Sequence, residues 1–335
     1  MKIFVTGAGG FLGKQIVEQL LIAGERDLVL GVRQAKAMQE LKEVCAKYAG
    51  TQFRIENANL LDRTAIGRAL EGADTVIHAA AGTKGGAADM FLNSVLGTRN
   101  LCEAILEQGI KRVIFISSFS VYDTSQMRAG ELLDENSPLE VDGVRKGAYA
   151  YTKVQQEHLV RQMLGEQKTE VIFVRPGVIY GPGGSGMSSR VGISALGIFA
   201  KLGGGNLLPL TQVQNCAAAI VSATRHGKAN EVFNVTDDEL PSCAQYLSMY
   251  RKKVKKLTCV PVPYFALLLG SKWLESYSLR SKGQLPAVLT PYVVKSMYTP
   301  LKYSNQKLKA IGWKPEISTS EGLNQAFQFL ASQPT

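Results

Sequence analysis

The sequence predicts an α/β protein: a doubly wound parallel sheet with a smaller, mainly helical C-terminal lobe. Three observations carry that prediction. Short β-rich runs alternate with amphipathic helical stretches through the first 175 residues, and a glycine cluster separates the first run from the first helical stretch. Beyond Arg175 the chain becomes rich in proline and glycine, then helical and basic.

The first strand is read at Lys2–Thr6. The loop Gly7-Ala8-Gly9-Gly10-Phe11-Leu12-Gly13 follows, with glycines at 7, 10 and 13. Gly7 permits a tight turn, Gly10 lets backbone approach a pyrophosphate, and Gly13 lets helix pack on strand. Gly9, Phe11 and Leu12 complete the loop and the helix start, whose free N–H groups would face phosphate. The fold is therefore expected to be of the Rossmann type, binding a dinucleotide. Apolar residues Phe11, Leu12, Ile16, Val17, Leu20 and Leu21 give the first helix its buried face.

Further strands are read at Leu28–Arg33, Gln52–Glu56, Thr75–His78, Arg112–Ser117 and Glu170–Arg175. Leu92, Val95, Leu96, Leu101 and Ile105 form another helical stripe. The end of the second strand decides the cofactor. An acidic residue there would bind the ribose 2′-hydroxyl of NAD, but the sequence reads Gly31-Val32-Arg33-Gln34. Arg33 suits a 2′-phosphate, so NADP is favoured, with NAD as the alternative and a solvated surface charge as the plain reading of Arg33. His78 ends a buried strand and is read as a satisfied core residue that positions backbone. The three histidines are scattered, and no metal site is expected.

The dinucleotide-binding domain is placed at residues 1–176, with strand-like pieces Leu207–Val213 and Glu231–Val235 and the helix between them (207–236) returning to it. Residues 177–206, read as loops, and 237–335 form the substrate lobe. With 335 residues, 45% of them hydrophobic, the chain can bury a large core. Five cysteines without a C-x-x-C pair point to a reducing compartment. No apolar run approaches the ~20 residues that span a bilayer, and Phe265–Gly270 reads as helix-core material. The start leaves no room for a secretory signal, so a cytoplasmic location is expected.

Charge is segregated. Residues 251–335 hold 13 Lys+Arg and 3 Asp+Glu, which accounts for the whole net charge of +10. The densest part, Arg251-Lys252-Lys253-Val254-Lys255-Lys256, has no interleaved aromatic platform, which argues against nucleic acid. The remaining readings are an anionic small molecule, peripheral contact with an anionic membrane, or a solvated face.

Six motifs in order from residue 1 to about 183 carry a family resemblance. They are Thr6–Gly13; Asp74-Thr75-Val76-Ile77-His78-Ala79-Ala80-Ala81; Asn93 with Gly97-Thr98-Arg99-Asn100-Leu101; Ile116-Ser117-Ser118-Phe119-Ser120-Val121-Tyr122; Tyr149-Ala150-Tyr151-Thr152-Lys153; and Arg175-Pro176-Gly177-Val178-Ile179-Tyr180-Gly181-Pro182. The chain resembles the extended short-chain dehydrogenase/reductases, which include nucleotide-sugar epimerases, dehydratases and reductases and 3β-hydroxysteroid dehydrogenases.

Of three Tyr-x-x-x-Lys pairs, Tyr298/Lys302 encloses Pro300 and Tyr303/Lys307 follows no serine-bearing strand end, which leaves Tyr149/Lys153. A phenol with pKa near 10 is a weak base, and an ammonium one turn away would lower that value. The expected roles are Tyr149 as acid/base, Lys153 as its tuner and a ribose ligand, and Ser118 as the group that orients the substrate oxygen. The resemblance further implies that Ala79, Ala80 and Ala81 line the cofactor, that Asn59 and Leu60 lie near the adenine, and that Pro176, Gly177 and Val178 lie near the nicotinamide. It also implies a homodimer through helices containing residues 90–106 and 150–164.

Two departures stand out. Gly203–Ala217 lacks the arginine with which nucleotide-sugar epimerases contact their nucleotide, and Asp123 replaces a glycine. The tail, with its apolar helix Val262–Leu269, is similar to the steroid dehydrogenase side. The expectation is an NAD(P)-dependent oxidoreductase that interconverts a secondary alcohol and a ketone on a lipophilic or anionic small molecule. A nucleotide-sugar 4-epimerase, dehydratase or reductase is the alternative, and a non-catalytic NADP-binding scaffold the second.

Overall fold

A computed structural model describes residues 1–82, 85–195, 197–281 and 289–333. Its centre is a sheet of seven parallel strands. From edge to edge these are Val232–Val235, Glu170–Pro176, Arg112–Ile116, Thr75–His78, Lys2–Thr6, Asp27–Gly31 and Gln52–Glu56. A strand covered on both faces must be apolar at successive positions. In the first strand Ile3 and Val5 enter one core, while Phe4 enters the other.

Helices Phe11–Ile22, Ala35–Ala46 and Val213–His226 cover the first face; Arg63–Leu70, Gly97–Gln108 and Ala148–Leu164 cover the second. Lys2–Thr6 lies between strands reached in opposite winding directions, so a crevice opens beyond its C-terminal end.

Several boundaries differ from the sequence reading. Only Leu210–Gln212 of the expected strand at 207–213 is extended, and it pairs with Val178–Tyr180 in a separate two-stranded sheet. The cause is a turn-out at Gly177. A Cβ there would lie 2.3 Å from the Pro209 carbonyl oxygen, and that oxygen accepts from the Val178 N–H at 2.7 Å. Glu231–Val235 does reach the main sheet, as Val232–Val235.

The stretch read as loops between 177 and 206 also contains strands Gly192–Ala195 and Ile198–Lys201, joined by Cys259–Pro261. In the stripe at 92–105, Leu92 and Leu96 are exposed. The turn Leu92–Leu96 is π-helical, and its greater number of residues per turn rotates the apolar face out of phase. Phe265–Gly270 is core only in part: Leu267 and Leu268 pack with Val294 and Tyr298, whereas Phe265 and Leu269 are exposed. The run belongs to the helix Tyr264–Arg280, of which only Leu267 and Ser271 are buried.

Tyr180, Val191, Phe199, Leu208 and Leu210 pack with helices Cys243–Lys253 and Thr319–Ser332 in a third core. Leu308 and Trp313 join the first core, so the C-terminal segment also covers the sheet. The Gly177→Ala variant is expected to lose about 1–3 kcal/mol by crowding the Pro209 carbonyl, read as a lower midpoint in urea unfolding. An unchanged midpoint would show that this approach does not restrict residue 177.

Candidate active site

The crevice beyond the first strand is a cleft lined by Gly7, Gly9, Gly10, Arg33, Asn59, Leu60, Ala79, Ala80 and Ala81, all singled out from the sequence. Val32, Gln34, Ala37, Ala58, Leu61 and Asn93 join them without any sequence assignment to the cofactor. Asn93 stood in a quoted motif and Val32 and Gln34 in the quoted strand end beside Arg33, whereas Ala37, Ala58 and Leu61 carry no local signal. The geometry fits a dinucleotide phosphate. Gly7 has a positive φ of 66°, and a Cβ on it would lie 2.9 Å from the Ala80 Cα. No acidic side chain occupies the first turn of helix Phe11–Ile22, so its N-terminal field faces the cleft uncompensated.

Gly13 serves packing, since its Cβ would sit 2.0 Å from the Gly7 oxygen. Arg33 is exposed at the cleft wall, where its Nη1 donates to the Asn93 Oδ1 at 3.1 Å. Phe11 turns its ring toward Gly183 and Gly184, and Leu12 packs against the first core.

Ser118 and Tyr149 line a second pocket of about 280 Å³. Ser118 follows the strand Arg112–Ile116 and accepts from the Ser120 N–H at 3.1 Å. Tyr149 opens the helix Ala148–Leu164. Desolvation around its hydroxyl pushes the phenol above its ordinary value, and the neighbouring Ser118 pulls it back in part. Lys153, one turn further, is buried. Its Nζ donates to the Ile116 carbonyl at 2.9 Å, tying the helix to the strand end that bears Ser118. Burial lowers its pKa to about 8 against the opposing charge of Glu157. The Lys153 ammonium thus bonds to backbone, not to the Tyr149 hydroxyl. Gly177 and Val178 line this pocket, whereas Pro176 is buried in its strand.

The remaining wall comes from segments far apart in sequence: Phe119, Ser120, Lys146, Ala150, Ser188, Ser189, Arg190, Pro209, Val293, Ser296 and Met297. Lys146 is paired with Glu140 at 3.0 Å. Arg190 donates to the Met297 carbonyl at 3.2 Å and has no carboxylate within ion-pair distance among the described residues. Of the other Tyr-x-x-x-Lys pairs, Tyr298 ends a helix whereas Lys302 lies on a strand, and Tyr303 is itself on that strand.

Beneath the site, Glu157 accepts from Ser117 Oγ at 2.5 Å, from Arg161 at 2.9 Å and from Arg175 Nε at 3.2 Å. Burial opposes its charge, but the Arg175 guanidinium, with Ser117 and Arg161, holds the carboxyl below its usual range. His78 bridges two threonines: Nδ1 lies 2.8 Å from Thr6 Oγ1 and Nε2 lies 2.9 Å from Thr98 Oγ1. Thr6 Oγ1 also accepts from the Ala80 N–H at 3.1 Å, and Thr98 Oγ1 accepts from Gln156 at 2.7 Å. Burial, helped by the Lys153 charge, drives the His78 pKa down to about 3.

A parallel sheet with a glycine-lined cleft at its switch point, beside a serine, tyrosine and lysine, defines a nucleotide-dependent enzyme of the Rossmann type. Residues 3–236 match the NAD dependent epimerase/dehydratase family, and the chain belongs to it. It is an NAD(P)-dependent enzyme of the extended short-chain dehydrogenase/reductase type. The chain is 26% identical over 341 residues to the UDP-glucose 4-epimerase of Vibrio cholerae, covering 98% of this chain and 94% of that protein. It is 27% identical to the 2-alkyl-3-oxoalkanoate reductase of Stenotrophomonas maltophilia, covering 97% and 98%. The structure of the Thermus thermophilus UDP-glucose 4-epimerase complex with NAD superposes with a TM-score of 0.70 at 21% identity, covering 99% and 100%.

The neutral His78 predicts acid sensitivity. Between pH 6.5 and about 3 the unfolded chain binds a proton that the folded chain refuses, so stability falls on acidification through this window. The slope is about 1.4 kcal/mol per pH unit. In His78→Gln the difference in urea midpoint between pH 7 and pH 5 is expected to shrink. An unchanged difference would locate the sensitivity elsewhere.

Proposed function

We propose that the protein is an NADP-preferring oxidoreductase that interconverts a ketone and a secondary alcohol on a lipophilic small molecule carrying an anionic group. The observation that supports it most is that Ser118 and Tyr149 line one pocket, whose wall includes Phe119, Ala150, Val178, Pro209, Val293 and Met297. A pocket of about 280 Å³ is at the small end for ligand sites, which suits a ketone better than a whole nucleotide sugar. The likeness to the 2-alkyl-3-oxoalkanoate reductase points the same way. Arg190, a cation in that wall with no carboxylate partner among the described residues, suits an anionic substituent.

The bound nicotinamide cofactor supplies or accepts the hydride. Ser118 hydrogen-bonds the substrate oxygen and holds it beside the Tyr149 hydroxyl, which gives up its proton as a ketone is reduced and recovers it in the reverse direction. Lys153 keeps a positive charge behind this exchange, and its bond to Ile116 fixes the distance between the helix that bears Tyr149 and the strand end that bears Ser118. Gly7, Gly9, Gly10 and the alanine run leave room for the cofactor's phosphates, and Arg33 takes the 2′-phosphate.

A nucleotide-sugar 4-epimerase is the second reading, favoured by the full-length likeness to UDP-glucose 4-epimerase. NAD retained through purification without net turnover would decide for it. The five free thiols suit the cytosol, and Leu92, Leu96 and Leu106, exposed on the second-face helices, suit a homodimer, read as twice the monomer mass in solution.

Tyr149→Phe is expected to lower kcat for ketone reduction by about 10²–10⁴-fold, with KM little changed, measured by NADPH oxidation. Retained turnover would remove Tyr149 from the proton path. Arg33→Asp is expected to weaken NADPH by at least about tenfold more than NADH, because a charge-assisted contact becomes a repulsive one. Equal losses would overturn the NADP preference.

A further inference from the structure

The helix Tyr264–Arg280 turns its apolar residues outward. Phe265, Leu269 and Trp273 expose 67%, 63% and 66% of their surface, and Leu279 exposes 77%. Steps of four residues from Phe265 through Leu269 and Trp273 to Tyr277 keep these side chains on one arc, opposite the buried Leu267 and Ser271. Trp273 and Tyr277 stack with ring centroids 5.6 Å apart. A soluble surface seldom carries so continuous an apolar face.

Charge identifies what covers it. Lys272 and Arg280 share the exposed arc, and the exposed Lys252, Lys253, Lys255 and Lys256 precede the helix through the short strand Cys259–Pro261. A second copy docking face to face would bring this basic surface against its own likeness. An anionic bilayer answers both features, with headgroups for the cations and acyl chains for the aromatic and leucine side chains. At 17 residues, and with no helix among the described residues long and apolar enough to cross a membrane, the element would lie in the interface.

Its other flank reaches the substrate pocket. Leu267 packs with Val294 and Tyr298 of helix Pro291–Tyr298, and Val293, Ser296 and Met297 of that helix form pocket wall. We propose that helix Tyr264–Arg280 docks the protein on an anionic lipid bilayer, one helix away from the pocket, so that a lipophilic substrate is taken from the membrane. The docking surface stands without the reaction proposed above; only its bearing on substrate delivery rests on that reading.

The test uses the full chain with vesicles of phosphatidylcholine, alone or mixed with phosphatidylglycerol. The chain has two tryptophans, Trp273 and the buried Trp313, so a change in emission reports Trp273. Anionic vesicles are expected to sediment the protein and shift its emission to the blue. Binding should weaken as salt shortens the screening length from about 10 Å at 0.1 M to about 3 Å at 1 M. The triple variant Phe265→Ser/Leu269→Ser/Trp273→Ser should lose at least tenfold in the vesicle-bound fraction yet reduce a water-soluble ketone as the parent does.

The proposal fails if the parent ignores both vesicle types, if it binds neutral and anionic vesicles alike, or if the triple variant binds as tightly as the parent. It also fails if the variant converts a dimer to a monomer while the parent ignores vesicles, because the face then belongs to a second copy. Vesicle binding by a parent that reduces no ketone would sink the proposed reaction and leave the docking surface standing.

Discussion

The close approach of two loops at the C-terminal ends of adjacent strands governs this molecule. Gly7 and Ala80 come so near that a Cβ on residue 7 would touch the Ala80 backbone. Thr6 secures that approach by accepting from the Ala80 N–H, and the same hydroxyl meets His78. From His78 the chain of polar contacts continues to Thr98 and to Gln156 on the helix Ala148–Leu164. One buried relay thus sets the width of the nucleotide cleft and anchors the helix that presents Tyr149. Burial keeps its imidazole neutral.

A second buried constraint lies behind the same helix. Glu157 and Arg175 form an ion pair inside the protein, and taking two such charges out of water is costly unless their remaining hydrogen-bonding capacity is met. Ser117 and Arg161 complete the carboxylate, while Arg175 stacks over the Tyr122 ring at 4.8 Å. Tyr122 in turn donates to Asn234 on the outermost strand at 2.7 Å. The pair is one turn from Lys153, and its carboxylate supports the charge of that lysine against desolvation. Stability and chemistry meet in this arrangement: the contacts that lock helix to sheet also supply the field around the proposed proton donor.

The phosphate side of the site was legible because it is local. Gly7, Gly9 and Gly10 sit in a loop directly after a strand, where backbone geometry demands small residues and the demand shows as composition, while Ala79–Ala81 were legible through the family resemblance. Arg33 was legible as the residue just beyond a strand end. The substrate pocket was not legible. Arg190, Val293 and Met297 lie in segments with no shared periodicity, and nothing in their neighbours announces a common wall. The apolar run Phe265–Gly270 shows the limit differently. Hydrophobicity predicts burial, but only packing decides which helical face finds a partner, and here Leu267 and Leu268 found one while Phe265 and Leu269 stay exposed.

Beyond Ser118, which the family resemblance supplied, the sequence by itself determined the parallel sheet, the glycine loop, the Tyr149 and Lys153 pair, and the concentration of positive charge after residue 250. These follow from short-range rules: alternation, turn chemistry, and one helical turn between tyrosine and lysine. The tertiary structure alone decided that Lys153 bonds to the Ile116 carbonyl, that Arg190 faces the pocket beside Tyr149, and that an apolar helix next to the basic segment stays uncovered. Those outcomes depend on long-range packing, in which each segment's position is set by the volumes and charges of segments distant in the chain.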